Sequence, residues 1–175
     1  MAGHNKWKQI KDRKAKTDGA KSKLYSKYSK LISAEAQKVK GDKNAPSLRA
    51  LIERAKTENV TSDVIERAVK KANEPGAALE AITYEAYGPG GCALMIETLT
   101  SNKNKAAQEV KHILSDNGFA LATPGSASWA FKREGANWIA TTATQLEDAD
   151  IAVLEKLVGD LEGNDEVQEV FTNVE

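Results

Sequence analysis

The sequence predicts an α+β protein: a basic N-terminal arm and a small three-helix bundle, followed by an α/β domain with a mixed, largely antiparallel sheet. Three observations predict it. Between residues 21 and 73 apolar side chains recur at helical spacing in three consecutive short segments. Beyond Pro75-Gly76 the pattern changes to strand-rich runs flanking a Gly-Pro-Gly-Gly turn, with further helical segments between them. Charge is segregated as well: residues 1–40 hold 12 Lys or Arg against 3 Asp or Glu, residues 41–75 hold 7 against 6, and residues 76–175 hold 6 against 16. A formal net charge of zero therefore conceals a basic front and an acidic back, a prior for a polyanion-binding segment joined to a domain with another task. The domains are expected at 1–75 and 76–175.

Each element follows from local physics. Leu24, Tyr28, Leu31, Ile32 and Val39 give the first bundle helix an apolar stripe with lysines between, ending near Gly41-Asp42. Ala45-Pro46 opens the second, since proline suits a first turn whose N–H has no partner to lose; Leu48, Leu51, Ile52 and Ala55 form its inner face, and Asn59 closes it. Thr61-Ser62-Asp63 offers caps for the third, with Asp63 and Glu66 at capping-box spacing and Val64, Ile65, Ala68, Val69 and Ala72 inward. Helices this short bury their stripes only against one another, which makes a bundle and leaves the arm outside it.

In the second half, "AITYEAYG" and "CALMIETLT" predict a hairpin. A helix over about 103–117 carries Ala107, Val110 and Leu114 and stops at Asp116-Asn117-Gly118; "SASWAFKR" alternates Ala127, Trp129 and Phe131 onto one face. "EDADIAVLEKLVGDLEG" is an acidic amphipathic helix through Ile151, Leu154, Leu157, Val158 and Leu161. Val167, Val170, Phe171 and Val174 also fall at helical spacing, but their Val, Phe and Thr surroundings favour a strand.

Catalytic and metal chemistry finds little to work with. "DGAKSK" at 18–23 lacks the leading glycine and preceding strand of a phosphate loop. Gly88, Pro89, Gly90 and Gly91 read as a tight turn between strands rather than a phosphate cradle opening a helix. His4 and His112 lie far apart with no paired cysteine, and Cys92 stands alone, so no zinc set is spelled out. His112, Ser115 and Asp116 share a helix turn without the rigid nucleophile elbow of a hydrolase. No enzyme and no cofactor are expected. With no signal-like or membrane-spanning apolar run, the cytoplasm is the expected compartment.

The arm is the strongest candidate site. Lys6, Lys8, Lys11, Arg13, Lys14 and Lys16 are dense enough to meet successive phosphates, and Lys21 and Lys23 carry the charge into the first bundle helix. Trp7 reads as a hydrophobic anchor holding the arm to the bundle, with stacking on an unpaired base as its alternative. No recognition-helix, zinc-finger or RNA-recognition signature accompanies it, so phosphate-dominated binding is expected.

"AGHNKWKQIKDRKA", "LRALIERAKTENV", "YEAYGPGGCALMIETLTSNKNKAAQEVKHIL", "GSASWAFKR" and "DEVQEVFTNVE", in this order, resemble the YebC/PmpR family, which includes the mitochondrial translational activator of cytochrome oxidase. The resemblance implies a helical domain, an α/β domain and a closing strand. It implies a nucleic-acid partner too, either the ribosome and its rRNA in translation or DNA in transcription. An extended lysine arm without a groove-reading helix favours RNA. From a different class, the acidic cluster Glu147, Asp148 and Asp150 could instead dock a basic protein partner. The resemblance carries contact roles to Gly3, His4, Lys6, Trp7, Ile10, Lys11, Arg13 and Lys14, and to a loop of Tyr87, Gly88, Pro89, Gly90 and Gly91. Asn5 and Asp12 depart from the family pattern, which usually has Ser and His there. Family members typically carry a ferredoxin-like segment between the Trp-Phe strand and the acidic helix; here Gly135 runs within a few residues into "ANWIATTATQLEDAD", as in a short member without it.

Overall fold

The computed structural model describes residues 6–14 and 18–175. Gly3, His4 and Lys16 of the candidate set lie outside the described residues. The chain divides into a helical unit, residues 18–81 with 99–101, and an α/β unit that takes residues 6–14 together with 82–98 and 102–175. The expected grouping of 1–75 differs from this chiefly at the arm.

The helical unit is built from α2 (Asp18–Lys38), α3 (Pro46–Thr57) and α4 (Ser62–Lys71). Its core holds Tyr28, Ile32 and Ala36 from α2, Leu48 and Ala55 from α3, and Ile65, Ala68 and Val69 from α4. Leu51, Ile52, Val64 and Ala72 pack at its margin. Alanine in α2 and α4 lets the two axes approach, and Ser33 Oγ, buried between them, donates to Ala68 O at 2.8 Å, satisfying a polar group that would otherwise be costly there. Pro46 sits in the first turn of α3 as expected. Thr61 occupies the N-cap of α4 without a side-chain capping bond, and Asp63 supplies first-turn negative charge instead. Gly41, at φ +77, closes α2 by donating its N–H to Ala36 O at 2.8 Å.

The α/β unit contains α1 (Lys6–Lys14), all but the first two residues of β1 (Glu80–Tyr87), all but the last two of β2 (Ala93–Thr100), α5 (Lys103–Asp116), β3 (Leu121–Ala122), β4 (Phe131–Glu134), β5 (Asn137–Ala140), α6 (Asp148–Glu162) and β6 (Val167–Thr172). The main sheet runs β3-β1-β2-β6, with β1/β3 and β2/β6 antiparallel. β4 and β5 form an antiparallel hairpin. The closing segment is therefore a strand. β2 is buried on both faces: Leu94 and Ile96 enter a core with Val110, Leu114, Leu154, Leu157 and Leu161, while Ala93 and Met95 meet Ala127, Ala130 and Phe131. Two covered faces explain why its sequence is apolar almost without alternation.

Two local expectations are corrected. In α5 the buried alanine is Ala106, which shares one face with Val110 and Leu114 four and eight positions on, and Ala107 beside it is half-buried. The alternation read from Ala127, Trp129 and Phe131 is broken by a 3-10 turn at Ser128–Ala130: Ala127, Ala130 and Phe131 are buried and Trp129 is 59% exposed. Between β4 and α6 the chain holds β5 and a link of residues 141–147, where the resemblance places a ferredoxin-like segment.

Candidate nucleic-acid interface

Residues 6–14 form a helix because Trp7 and Ile10, three apart, share one apolar face among good helix formers. That face is buried, Trp7 to 7% exposure, in the core of the α/β unit with Leu154, Leu157 and Leu161 of α6. Trp7 is thus an anchor, as the sequence favours, but on the α/β unit rather than the bundle. The physical reason is charge as well as area: α6 is the acidic helix and receives a basic one.

The cations divide accordingly. Lys6 Nζ lies 2.6 Å from Asp148 Oδ1; Lys14 Nζ and Arg13 Nη2 lie 3.5 and 4.0 Å from Glu155 Oε1. Lys11 Nζ approaches Val170 O at 3.5 Å and sits 6.0 Å from the Trp7 ring centroid. Lys8, Gln9, Asp12 and Arg13 face outward. A cleft of about 490 Å³ between α1 and α6 is lined by Lys6, Arg13, Asp148 and Glu155 among others. With two carboxylates beside its two cations, it is no simple anion cradle. Lys21 and Lys23 are exposed on α2 in the helical unit, so the candidate set is divided between the two units. The acidic cluster also has a basic neighbour within the chain, since Asp148 is engaged by Lys6.

The Gly88–Gly91 segment is a tight turn. Gly88 N donates to Cys92 O at 2.8 Å and Gly91 N to Gly88 O at 3.1 Å, so two amides a phosphate would need are engaged. Gly90 has φ +65, and a Cβ there would collide with Leu146 Cδ2 and come within 3.3 Å of Asp150 Oδ2. The positive φ is what favours glycine here, since Leu146 Cδ2 is the movable end of a side chain. Burial pushes the Cys92 thiol up to about 11, which makes it a packing residue rather than a nucleophile. His112 Nε2, 3.1 Å from Asp116 Oδ2, lies on the exposed face of α5. Among the described residues no group of three His, Cys, Asp or Glu is placed to hold a metal, and no helix is long and apolar enough to cross a membrane.

A polar clamp that the sequence does not signal lies beside this turn. Glu85, on β1, accepts from the N–H groups of Gly125, Ala127 and Ser128 at 2.6, 3.0 and 2.7 Å. Burial alone would raise its pKa, but the three amides outweigh it and hold the carboxyl below its ordinary value. Tyr87 OH donates to Ser126 O and accepts from Trp129 Nε1 at 2.9 Å. The hydroxyl of this candidate loop residue is thus engaged within the fold. The sequence marks only the turn, through Thr123-Pro-Gly-Ser, a composition unsuited to a strand running through to Trp129, and not the bonds that hold it.

A helical bundle, together with an acidic α/β unit that carries a basic opening helix, defines a class of small, charge-segregated α+β proteins whose candidate surface is a set of exposed cations. Comparison with known proteins narrows the class to one family. Residues 5–75 match the TACO1/YebC protein N-terminal domain and residues 79–137 the TACO1/YebC second and third domain. The chain belongs to the TACO1/YebC family. It is 46% identical over 153 residues to a Fervidobacterium nodosum protein named "Probable transcriptional regulatory protein", covering 86% of this chain and 60% of that one. A Petrotoga mobilis protein of the same name is 42% identical over 178 residues, 98% of this chain and 70% of its own. The chain thus spans between half and three quarters of its curated relatives, 54% for one from Halothermothrix orenii and 72% for one from Dictyoglomus turgidum. A crystal structure of a conserved hypothetical protein from Aquifex aeolicus shares the fold, with TM-score 0.79 and 24% identity over 92% of this chain and 93% of that one.

Proposed function

We propose that this chain is a non-enzymatic, nucleic-acid-binding regulator of gene expression that acts on DNA in transcription. The observation that carries the reading is the charge segregation, which leaves Lys8 and Arg13 exposed on α1 and Lys21 and Lys23 exposed on α2. Relatives bearing the name "Probable transcriptional regulatory protein" support DNA over RNA. A ribosome or RNA partner is favoured by an extended arm with a tryptophan available to stack; residues 6–14 are instead helical and Trp7 is buried. One observation still favours unpaired bases, the exposure of Trp129.

Affinity for duplex DNA measured across salt concentrations tests the reading. Binding should weaken steeply as salt rises, and replacing Lys8, Arg13, Lys21 and Lys23 by Ala should flatten the log–log slope by up to about 0.9 for each phosphate no longer neutralised. An unchanged slope removes these residues from the interface. A duplex bound about 1000-fold more tightly than others would mark a specific operator, whereas uniform affinity supports phosphate-dominated binding.

A further inference from the structure

We infer that Trp129 is a stacking platform for an unpaired nucleobase, held ready on the α/β unit by the clamp beneath it. The inference rests on the nucleic-acid-binding reading and deepens it, by naming as ligand a strand with unpaired bases.

Of the three tryptophans, Trp7 is in the core and Trp138 is half-buried with its Nε1 on Glu97 Oε1 at 2.6 Å, while Trp129 is 59% exposed. A tryptophan offers about 150–250 Å² of contact area, and folding ordinarily uses it. Here the fold spends polar bonds on holding the ring out. Ala127, Ala130 and Phe131, on either side, are buried against β2, which pins the backbone. Glu85 fixes the preceding turn through three amides. Trp129 Nε1 donates to Tyr87 Oη, whose own proton goes to Ser126 O, and this fixes the ring.

Two consequences follow for a ligand. The ordering cost that a mobile side chain meets on binding is already met in folding, so contact area converts more fully into affinity. The indole N–H is engaged within the protein, so what the exposed side chain offers a ligand is aromatic surface rather than a directional donor. Every nucleobase has a π-face, and recognition by stacking alone tolerates sequence. Lys132 lies three residues on, within about 11 Å along the chain, with its side chain 59% exposed in an ion pair with Glu134. Such an exposed pair is weak enough for a phosphate to compete with it.

The test uses the full chain and five fluorescent ligands: a thymidine 12-mer, a uridine 12-mer, a deoxyuridine 12-mer, an abasic 12-mer with the same phosphates, and a duplex. Wild type should bind the thymidine strand about 5- to 150-fold more tightly than the abasic one, the range expected for one stacked base, with tryptophan fluorescence quenched on binding. Trp129→Ala should bind the thymidine and abasic strands equally and keep its duplex affinity, and Trp129→Phe should retain part of the discrimination. Comparing the uridine strand with the deoxyuridine strand, which differs from it only at the 2′ position, identifies the source: equal affinity means a platform blind to the sugar, and a preference names the strand. If Trp129→Ala keeps the wild-type discrimination, the platform is overturned and the nucleic-acid reading stands. Absence of wild-type binding to all five ligands overturns both. Equal weakening toward all five, with a changed sedimentation coefficient, overturns the platform in favour of a contact between proteins.

Discussion

Helix α1 and the corner at residues 125–131 each fix one tryptophan on the α/β unit, and they do so by opposite means. In α1 the aromatic goes inside: Trp7 and Ile10 are buried, and the charged groups stay at the rim, where Lys6, Arg13 and Lys14 meet Asp148 and Glu155. In the corner the charge goes inside: Glu85 is 8% exposed beneath three amides, and the aromatic stays out. The two tryptophans thus differ in what is buried beside them, an apolar neighbour on the same helix for Trp7 and, for Trp129, a carboxylate that β1 supplies to the turn. A helix with a second apolar residue three positions on has a face to insert. A turn whose amides need an acceptor takes the carboxylate of Glu85 from β1, and its own large side chain is left at the surface.

The sharpest way to break this comparison is to remove each ring. Trp7→Ala deletes a side chain from the core shared with Leu154, Leu157 and Leu161 and should cost about 3 kcal/mol or more. Trp129→Ala, at an exposed site, should cost under about 1 kcal/mol. Chemical denaturation of the two variants, followed by circular dichroism, checks the difference. Similar losses would mean that both rings are structural and would end the contrast.

Glu85→Ala comes next in size. It leaves the N–H groups of Gly125, Ala127 and Ser128 without their acceptor and should cost about 2–3 kcal/mol at neutral pH. The effect has a sign in pH. The folded pKa lies below the ordinary 4.5, so Glu85 contributes stability above that value and loses it as pH falls through the lowered folded pKa. Wild type and variant should therefore converge in stability in acid. A gap between their denaturation midpoints that stays constant from about pH 7 down to about pH 3 would show that the ionised carboxylate is not what holds the corner.

Much of this architecture is legible in the sequence. The bundle helices, α5, α6 and the β1–β2 hairpin each carry their own period and punctuation, and α6 buries the five residues its spacing selects. The corner is not legible, because its defining bonds join residue 85 to residues 125–128, some forty positions away, and a lone glutamate in a strand does not announce a buried acceptor. Trp129 escapes for the same reason, since alternation assumes an extended backbone and the turn replaces it. For the arm, the density of lysine is visible but its neutralisation is not: Asp148 and Glu155 lie more than 130 residues away along the chain. Trp7 reads correctly as an anchor, and only the surface it anchors to requires the fold.

That neutralisation leads to the smallest of the expected effects and the most informative about the arm. The Lys6–Asp148 pair is exposed, with side-chain accessibilities of 42% and 86%, while Glu155, 28% accessible, is partly shielded beneath the exposed Arg13 and Lys14; pairs with at least one solvated partner are worth about 0–1 kcal/mol each to folding. A nucleic acid, with a dense row of phosphates, competes with isolated carboxylates on favourable terms. On the nucleic-acid reading proposed above, the carboxylates of α6 would act as a brake on polyanion binding, set by how much charge they cancel. Asp148→Asn with Glu155→Gln should change stability little, because Trp7 and Ile10 keep α1 seated. It should also raise duplex affinity about 3- to 10-fold at low salt, with the gain fading as the Debye length shrinks to about 8 Å near 0.15 M. Titration of both proteins at two salt concentrations measures it. A gain that persists unchanged at high salt would point to rearranged contacts instead of uncancelled charge. No gain at either salt would take Lys6, Arg13 and Lys14 out of the interface and leave Lys8 with the α2 lysines to carry it.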